Sequence, residues 1–211
     1  MNYSVIFTKP EIKSAFDWQL IQEVNVVDDN NTVIAKAELE LITLNKHRDA
    51  LKSYALIEAD DEATDWELPL NLYFKGQNVC ADTCAALGIN ADVKKAKTHI
   101  LIEAISVLPK YREQGVMKLL LSEIAKAHNK VQSITLLSLP MPLFINPEDS
   151  EEEVTKAYYQ QLNLNEDNTT HESLKALFEH NGFIQYEVDE SLLNAPLSFD
   201  LFVSTPSQLI G

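Results

Sequence analysis

The sequence predicts one mixed α/β domain, and three observations predict it. Two β-rich runs, 20–27 and 32–44, flank the turn cluster Asp28-Asp29-Asn30-Asn31. A β-branched run over 99–107 passes through a short polar turn into an apolar helix over 116–128 and then a second apolar strand over 131–139. A short helix over 173–180, stopped by Asn181-Gly182, leads to two closing strands at 183–188 and 198–203. A hairpin leading in, a β-α-β unit in the middle, and a helix with strands leading out make a single sheet covered by helices.

The composition supports a real core and narrows the partners. At 211 residues and 45% hydrophobic the chain can bury enough apolar surface for one soluble domain. Seventeen Lys and Arg stand against 32 Asp and Glu, a formal net charge of −15, so the overall field repels a nucleic-acid backbone, and no basic cluster offsets it. Nucleic acid is excluded as the expected partner. The two cysteines, Cys80 and Cys84, lie one helical turn apart and are read as buried thiols, with a redox or metal role as the alternative. His47, His99, His128, His171 and His180 show no metal-ligand spacing, and no Walker, Rossmann or Gly-x-Ser-x-Gly pattern occurs. The N-terminal residues carry no basic region before an apolar run, and no run is long enough to cross a membrane, so no membrane partner is expected and the expected compartment is the cytoplasm.

Each element has a local reason. After a short strand over 3–8, Asp and Asn at 28–31 tolerate the conformations that close a hairpin. Val33, Ala35, Ala37, Leu39 and Leu41 alternate with polar neighbours, which gives that strand one buried face. From 47 to 96 the texture is Ala- and Leu-rich, and Leu51, Tyr54, Ala55 and Ile57, then Trp66, Leu68, Leu70, Leu72, Tyr73 and Phe74, read as helices interrupted around 60–65 and at Pro69. Asp60-Asp61-Glu62 is read as a solvated helix end, against a site for a cationic ligand. Val116, Leu119, Leu120, Ile124 and Ala127 recur at helical spacing, with Lys126 and Lys130 where the dipole favours cations. The strands on either side of that helix are expected to lie parallel, joined by a right-handed crossover. Asn146-Pro147 and the carboxylates that follow start a helix through Leu162. Those carboxylates compensate its dipole or line a site for an amine. Asn194-Ala195-Pro196 lets the last two strands pair antiparallel.

The strand, turn and helix from Ile102 to Leu121 form an anion-binding device. The first amides of a helix have no intrahelical partner and the dipole adds positive charge there, so a phosphate can be held without a cationic side chain.

Two stretches together resemble the GNAT superfamily of N-acetyltransferases. Ile105-Ser106-Val107-Leu108-Pro109-Lys110-Tyr111-Arg112-Glu113-Gln114-Gly115-Val116, followed by Leu119-Leu120, is similar to the family's acetyl-CoA signature. Leu177-Phe178-Glu179-His180-Asn181-Gly182-Phe183 is similar to its late motif Phe-Tyr-Glu-Lys-x-Gly-Phe. The resemblance implies a mixed, mostly antiparallel sheet, splayed at the CoA-binding strand and flanked by helices. It makes residues 1–211 a single N-acetyltransferase domain with a helical insertion at 47–96 and an acidic insertion at 144–170.

The resemblance also implies acetyl-CoA as co-substrate. Its pyrophosphate would rest on the turn Arg112, Glu113, Gln114, Gly115, Val116 and Met117, and its pantetheine arm would pair with Ile105, Ser106 and Val107, opposite a gap toward 136–138. Gly115 is where the chain must approach phosphate without a Cβ in the way. The implied acceptor is a small-molecule or peptide amine, and the acidic field favours a cationic one. Glu103, four residues before Val107 and on the same face of an undistorted strand, is the candidate base; the other reading is a surface carboxylate or salt-bridge partner. Two positions depart from the family pattern. Met117 replaces a small residue, and Phe178 falls where a tyrosine commonly protonates the leaving thiolate. A CoA thiol with a pKa roughly like that of cysteine, about 8.5, can leave without an acid. Tyr158 and Tyr159 are read first as packing residues and second as substitute donors. The alternative function is a non-catalytic acyl-CoA-binding or interaction module.

Overall fold

Alternation along 19–44 and 97–107 lays one face of a sheet against a helix, and the computed structural model has that arrangement at its centre. The structure describes residues 2–13, 18–44, 74–75, 78–79, 81–86, 97–138, 153–164, 170–186 and 200–210. Within them the strands are β1 (Ser4–Phe7), β2 (Glu11–Ile12), β3 (Gln19–Val27), β4 (Val33–Leu44), β5 (Phe74–Lys75), β6 (Asn78–Val79), β7 (Lys97–Val107), β8 (Ser133–Leu137), β9 (Ile184–Tyr186) and β10 (Leu201–Ser204). The helices are α1 (Ala81–Ala86), α2 (Val116–Ala127), α3 (Glu153–Gln161), α4 (His171–His180) and α5 (Pro206–Ile210).

The main sheet runs β1-β3-β4-β7-β8-β10-β9, with β2 on the flank of β3. Every pair in it is antiparallel except β7 with β8, the two strands joined through α2. This is the mixed, mostly antiparallel sheet expected. The Asp28–Asn31 hairpin is closed by Asp28, whose Oδ1 accepts from the amides of Asn30 and Thr32 at 2.9 and 3.0 Å.

Register assigns the two faces. Val24 and Val26 of β3, Ala35, Ala37 and Leu39 of β4, and Ile100, Ile102, Ile105 and Val107 of β7 share one face. On this face α2 buries Val116, Leu120, Leu121, Ile124 and Ala125. A fully buried Leu or Ile contributes roughly 1.5–3 kcal/mol, so this layer anchors the fold. The opposite face carries the polar groups, Glu23 and Asn25 of β3, Lys36, Glu38 and Glu40 of β4, and His99 and Ser106 of β7, with Ala104 and the buried Ile42 and Leu101 among them.

Several expectations need correction. Phe74, read as part of a helix, lies in a two-residue strand paired antiparallel with Asn78–Val79. Only α1 represents the helical insertion among the described residues; 45–73 and 87–96 lie outside them, as do Cys80, Asp60-Asp61-Glu62 and the start of the acidic helix. Cys84 is buried, as a packing thiol should be. The second strand of the β-α-β unit is shorter than 131–139, because Val131 still bonds the carbonyl of His128 in the turn that ends α2. Helix α4 starts two residues early, since Thr170 forms a reciprocal capping box with Ser173. Helix α5 was not expected. It starts at Pro206, where the missing N–H costs nothing, and Gln208 Oε1 accepts from the Thr205 amide at 2.8 Å. Finally, β7 is not undistorted: Glu38 faces Ala104 while Leu39 faces Ile102, which leaves Glu103 as a bulge. The bulge turns Glu103 to the polar face, away from Val107, so the expected shared face does not exist.

Candidate functional site

Strand β7 pairs differently along its two halves. Its first half is flanked on both sides, and the parallel ladder with β8 ends at Ile102 opposite Leu136. From Glu103 to Val107 it pairs only with β4 among the described residues. The Leu108 amide bonds the Ile34 carbonyl at 2.9 Å, so the backbone groups of Ser106 also face β4, and those of Ile105 and Val107 face the side that β8 has left. The Val107 carbonyl accepts from Arg112 Nε at 3.3 Å. Among the described residues, Ile105, Ser106 and Val107 thus form a strand segment with an open edge, opposite the gap where the sheet parts.

That edge runs directly into the phosphate turn. Pro109–Tyr111 make a single 3₁₀ turn, Glu113 takes φ 60° and Gly115 takes φ 76°, and α2 begins at Val116 with Gly115 as its N-cap. Gly115 offers no side-chain cap, so among the described residues the first-turn amides of Val116, Met117 and Lys118 are left for an external acceptor. Its left-handed φ is the reason for glycine, and a Cβ placed there would meet nothing within 4 Å: the space before the helix is open. Met117 packs against the core, which takes its side chain out of the way. Gln114 and Tyr111 are braced from the other end of the chain. Tyr3 donates its hydroxyl to Gln114 Oε1 at 3.0 Å, and Tyr111 donates to Asp28 Oδ2 at 3.3 Å. Open edge, left-handed glycine and uncapped helix together fit a phosphate carrying an extended, amide-bearing arm.

On the polar face, beside the parting point, lies an ionic cluster. Lys13 Nζ sits 2.9 Å from Glu103 Oε1 and 3.1 Å from Glu40 Oε2, and Gln19 Nε2 donates to Glu40 Oε1. The Glu40 side chain is fully buried and that of Glu103 is 28% exposed. Burial first, and the Glu40 carboxylate second, push Glu103 up to about 7 against the pull of Lys13. Burial alone would lower the Lys13 pKa, but the charges of Glu103 and Glu40 outweigh it and hold the ammonium above its ordinary value. Glu103 is therefore the salt-bridge partner of one of its two sequence readings, with its carboxyl held near neutrality by burial. Lys13 and Glu40 were missed. They are 27 residues apart and far from Glu103 in the chain, and only the sheet brings them together.

The remaining predicted residues are placed elsewhere. Phe178 is buried in the main core, against Phe183 at 6.1 Å and Phe202 at 5.3 Å between ring centroids. Tyr158 of α3 does reach the open strand: its hydroxyl lies 2.9 Å from Ser106 Oγ, and burial pushes its pKa up to about 12. Tyr159 donates to Glu38 at 2.7 Å, and Lys36, paired with Glu23 at 2.6 Å, lies over both rings. Among the described residues no group of His, Cys, Asp and Glu is arranged to hold a metal, and no helix is long and apolar enough to cross a membrane.

No family model and no curated protein matches the chain. Among solved structures it is similar to a mosquito arylalkylamine N-acetyltransferase-like 5b, at 17% identity over 86% of this chain and 73% of that one, TM-score 0.43. It is also similar to Arabidopsis thaliana NAA60 with a bisubstrate analogue, at 12% identity over 87% and 73%, TM-score 0.35. The same plant protein with acetyl-CoA gives 10% identity over 95% and 96%, TM-score 0.36.

Proposed function

We propose that this protein is an acetyl-CoA-dependent N-acetyltransferase of the GNAT kind, acting on a primary amine by direct attack in a ternary complex. One observation carries the reading: the open edge of Ile105–Val107 runs straight into the uncapped N-terminus of α2. The first-turn amides of α2 and the turn from Arg112 to Met117 would hold the pyrophosphate. Ile105 and Val107 would pair with the amides of the arm. A thioester so held supplies an activated acyl carbon at the Glu103 end of the strand. Because the turn lies beyond Val107, the arm must run back along the strand, and four residues at about 3.3 Å each bring its reactive end to the bulge.

Glu103 is then the base. An amine attacks only when neutral, and a carboxylate titrating about pH 7 can accept its proton under ordinary conditions. Glu40, fully buried and beside it, holds positive charge at the same spot, which favours a cationic acceptor. Phe178 supplies no hydroxyl, and the leaving thiolate needs none. That absence is the one feature favouring the second reading, an acyl-CoA-binding module without turnover.

Calorimetry with acetyl-CoA and a thiol-release assay across polyamines, amino acids and peptides separate these. Binding with turnover supports the first reading, binding without turnover the second, and no binding sinks both. Gly115→Glu adds negative charge on the phosphate path and is expected to abolish binding with an unchanged circular dichroism spectrum. Normal affinity in that variant would remove the turn from the site. Glu103→Gln is expected to lower kcat at least about 100-fold, in the range of general-base catalysis, with acetyl-CoA affinity kept.

A further inference from the structure

The cluster that would deprotonate an incoming amine already contains one. Lys13 Nζ is a primary ammonium within hydrogen-bond distance of both carboxylates, 2.9 Å from Glu103 and 3.1 Å from Glu40. Two other ion-paired lysines among the described residues have simpler settings, one carboxylate each: Lys36 binds Glu23, and Lys126 binds Glu123 within its own helix. The bulge places Glu103 where β7 parts from β8, which is where an arm laid along Ile105–Val107 must end. Lys13 follows the two-residue strand β2 on the flank of the sheet, and its amide bonds the Gln19 carbonyl at 3.2 Å. Its side chain, not its backbone, bridges the cluster.

We infer that Lys13 occupies the acceptor-amine seat and is itself an acetyl acceptor, so that the protein acetylates its own Lys13 once acetyl-CoA is bound. The inference rests on the reading proposed above. In the step, Glu103 takes one proton from the Lys13 ammonium, and the freed nitrogen lone pair attacks the thioester carbon. The C–N bond forms and the C–S bond breaks, and the electron pair leaves on the CoA sulfur. The nitrogen gives a second proton to that sulfur, which yields the amide and free CoA thiol, and Glu103 returns its proton to water. The raised pKa of Lys13 makes the neutral amine scarce, so the event is slow, and because the amide product is no longer a nucleophile it happens once per chain. It also removes the cation that two carboxylates share.

The same features protect Lys13 from ordinary chemistry, and this gives the test its contrast. A side chain 20% exposed and held as an ammonium reacts slowly with a small acylating reagent, whereas Lys9 and Lys118 are exposed. The full chain is treated with acetic anhydride alone and, separately, with acetyl-CoA, and the lysines are ranked by peptide mass mapping. The expected result is a reversal: Lys13 among the last modified by the anhydride and the first modified by acetyl-CoA, with that preference lost in Glu103→Gln. Intact mass should show one added acetyl group, absent from Lys13→Arg. Calorimetry runs alongside. If acetyl-CoA binds and the two rankings agree, self-acetylation is overturned and the proposed function stands. If acetyl-CoA does not bind, the proposed function falls first. If Glu103→Gln fails to fold, Lys13→Arg and the paired rankings still decide.

Discussion

Glu103 carries a consequence that needs no ligand. Its folded pKa, about 7, lies above its ordinary value of 4.5, because its charge is partly buried beside Glu40. A carboxyl raised in this way favours the folded state while protonated. Its contribution is fully present below about pH 4.5 and is lost as pH rises through 7. Removing the charge should reverse that loss. Glu103→Gln is expected to match the wild type near pH 4.5 and to exceed it by about 2 kcal/mol at pH 8, read as a widening gap in urea midpoint. A gap that does not change with pH would mean that Lys13 compensates the charge completely. The same proton governs the proposed chemistry, so kcat should rise with pH through an apparent pKa near 7. One residue then links a stability cost to an activity gain, in the manner of sites whose groups are tuned by burial.

Helix α4 shows how local chemistry fixes an element. Thr170 Oγ1 accepts from the Ser173 amide at 3.2 Å while Ser173 Oγ accepts from the Thr170 amide at 3.0 Å. Thr170→Ala should cost about 1 kcal/mol, visible as a lower urea midpoint with an unchanged slope. At the other end Phe183 N bonds the Phe178 carbonyl and Gly182 N the Glu179 carbonyl, a Schellman closure with Gly182 at φ 91°. A Cβ on Gly182 would lie 2.9 Å from the Gln208 carbonyl oxygen of α5, so Gly182→Ala should cost about 2 kcal/mol or more by the same measurement. A smaller loss would show that α5 can shift. Features of this kind are legible in sequence because they are written within a few residues: the Asn181-Gly182 stop, the Asp28 turn, the apolar stripe of α2, the glycine before it. The bulge at Glu103 is not. It arises from a register mismatch with β4, some 60 positions away, and nothing in Ile102-Glu103-Ala104 announces it. Nor do Lys13 and Glu40, which look like the polar half of ordinary alternation, reveal that the sheet buries one between strands and lays the other across it. Phe74 misled because its apolar neighbours match a helix stripe as well as a strand, and two-residue strands carry no period.

The formal charge of −15 acts on both proposed substrates at once, with opposite sign. In the proposed site a polyanionic CoA would approach against the field and be held mainly by backbone amides. A cationic amine acceptor would be drawn in, toward Glu40 and Glu103. Screening weakens both effects, because the Debye length falls from about 30 Å at 0.01 M salt to about 8 Å at 0.15 M. Raising ionic strength over that range should therefore increase the association rate of acetyl-CoA several-fold and decrease that of a polyamine several-fold. Short-range hydrogen bonds at the turn and the paired carboxylates change little, so the dissociation rates should stay nearly constant. Stopped-flow measurement of each ligand at two salt concentrations checks this, with a neutral amide as control. If both association rates fell together, the anion would be steered by a local positive patch, and the Arg112 guanidinium that now caps the Val107 carbonyl would be the first place to look. If neither moved, the net charge would lie too far from the open strand to matter, and acceptor choice would rest on the Glu40–Glu103 pair alone.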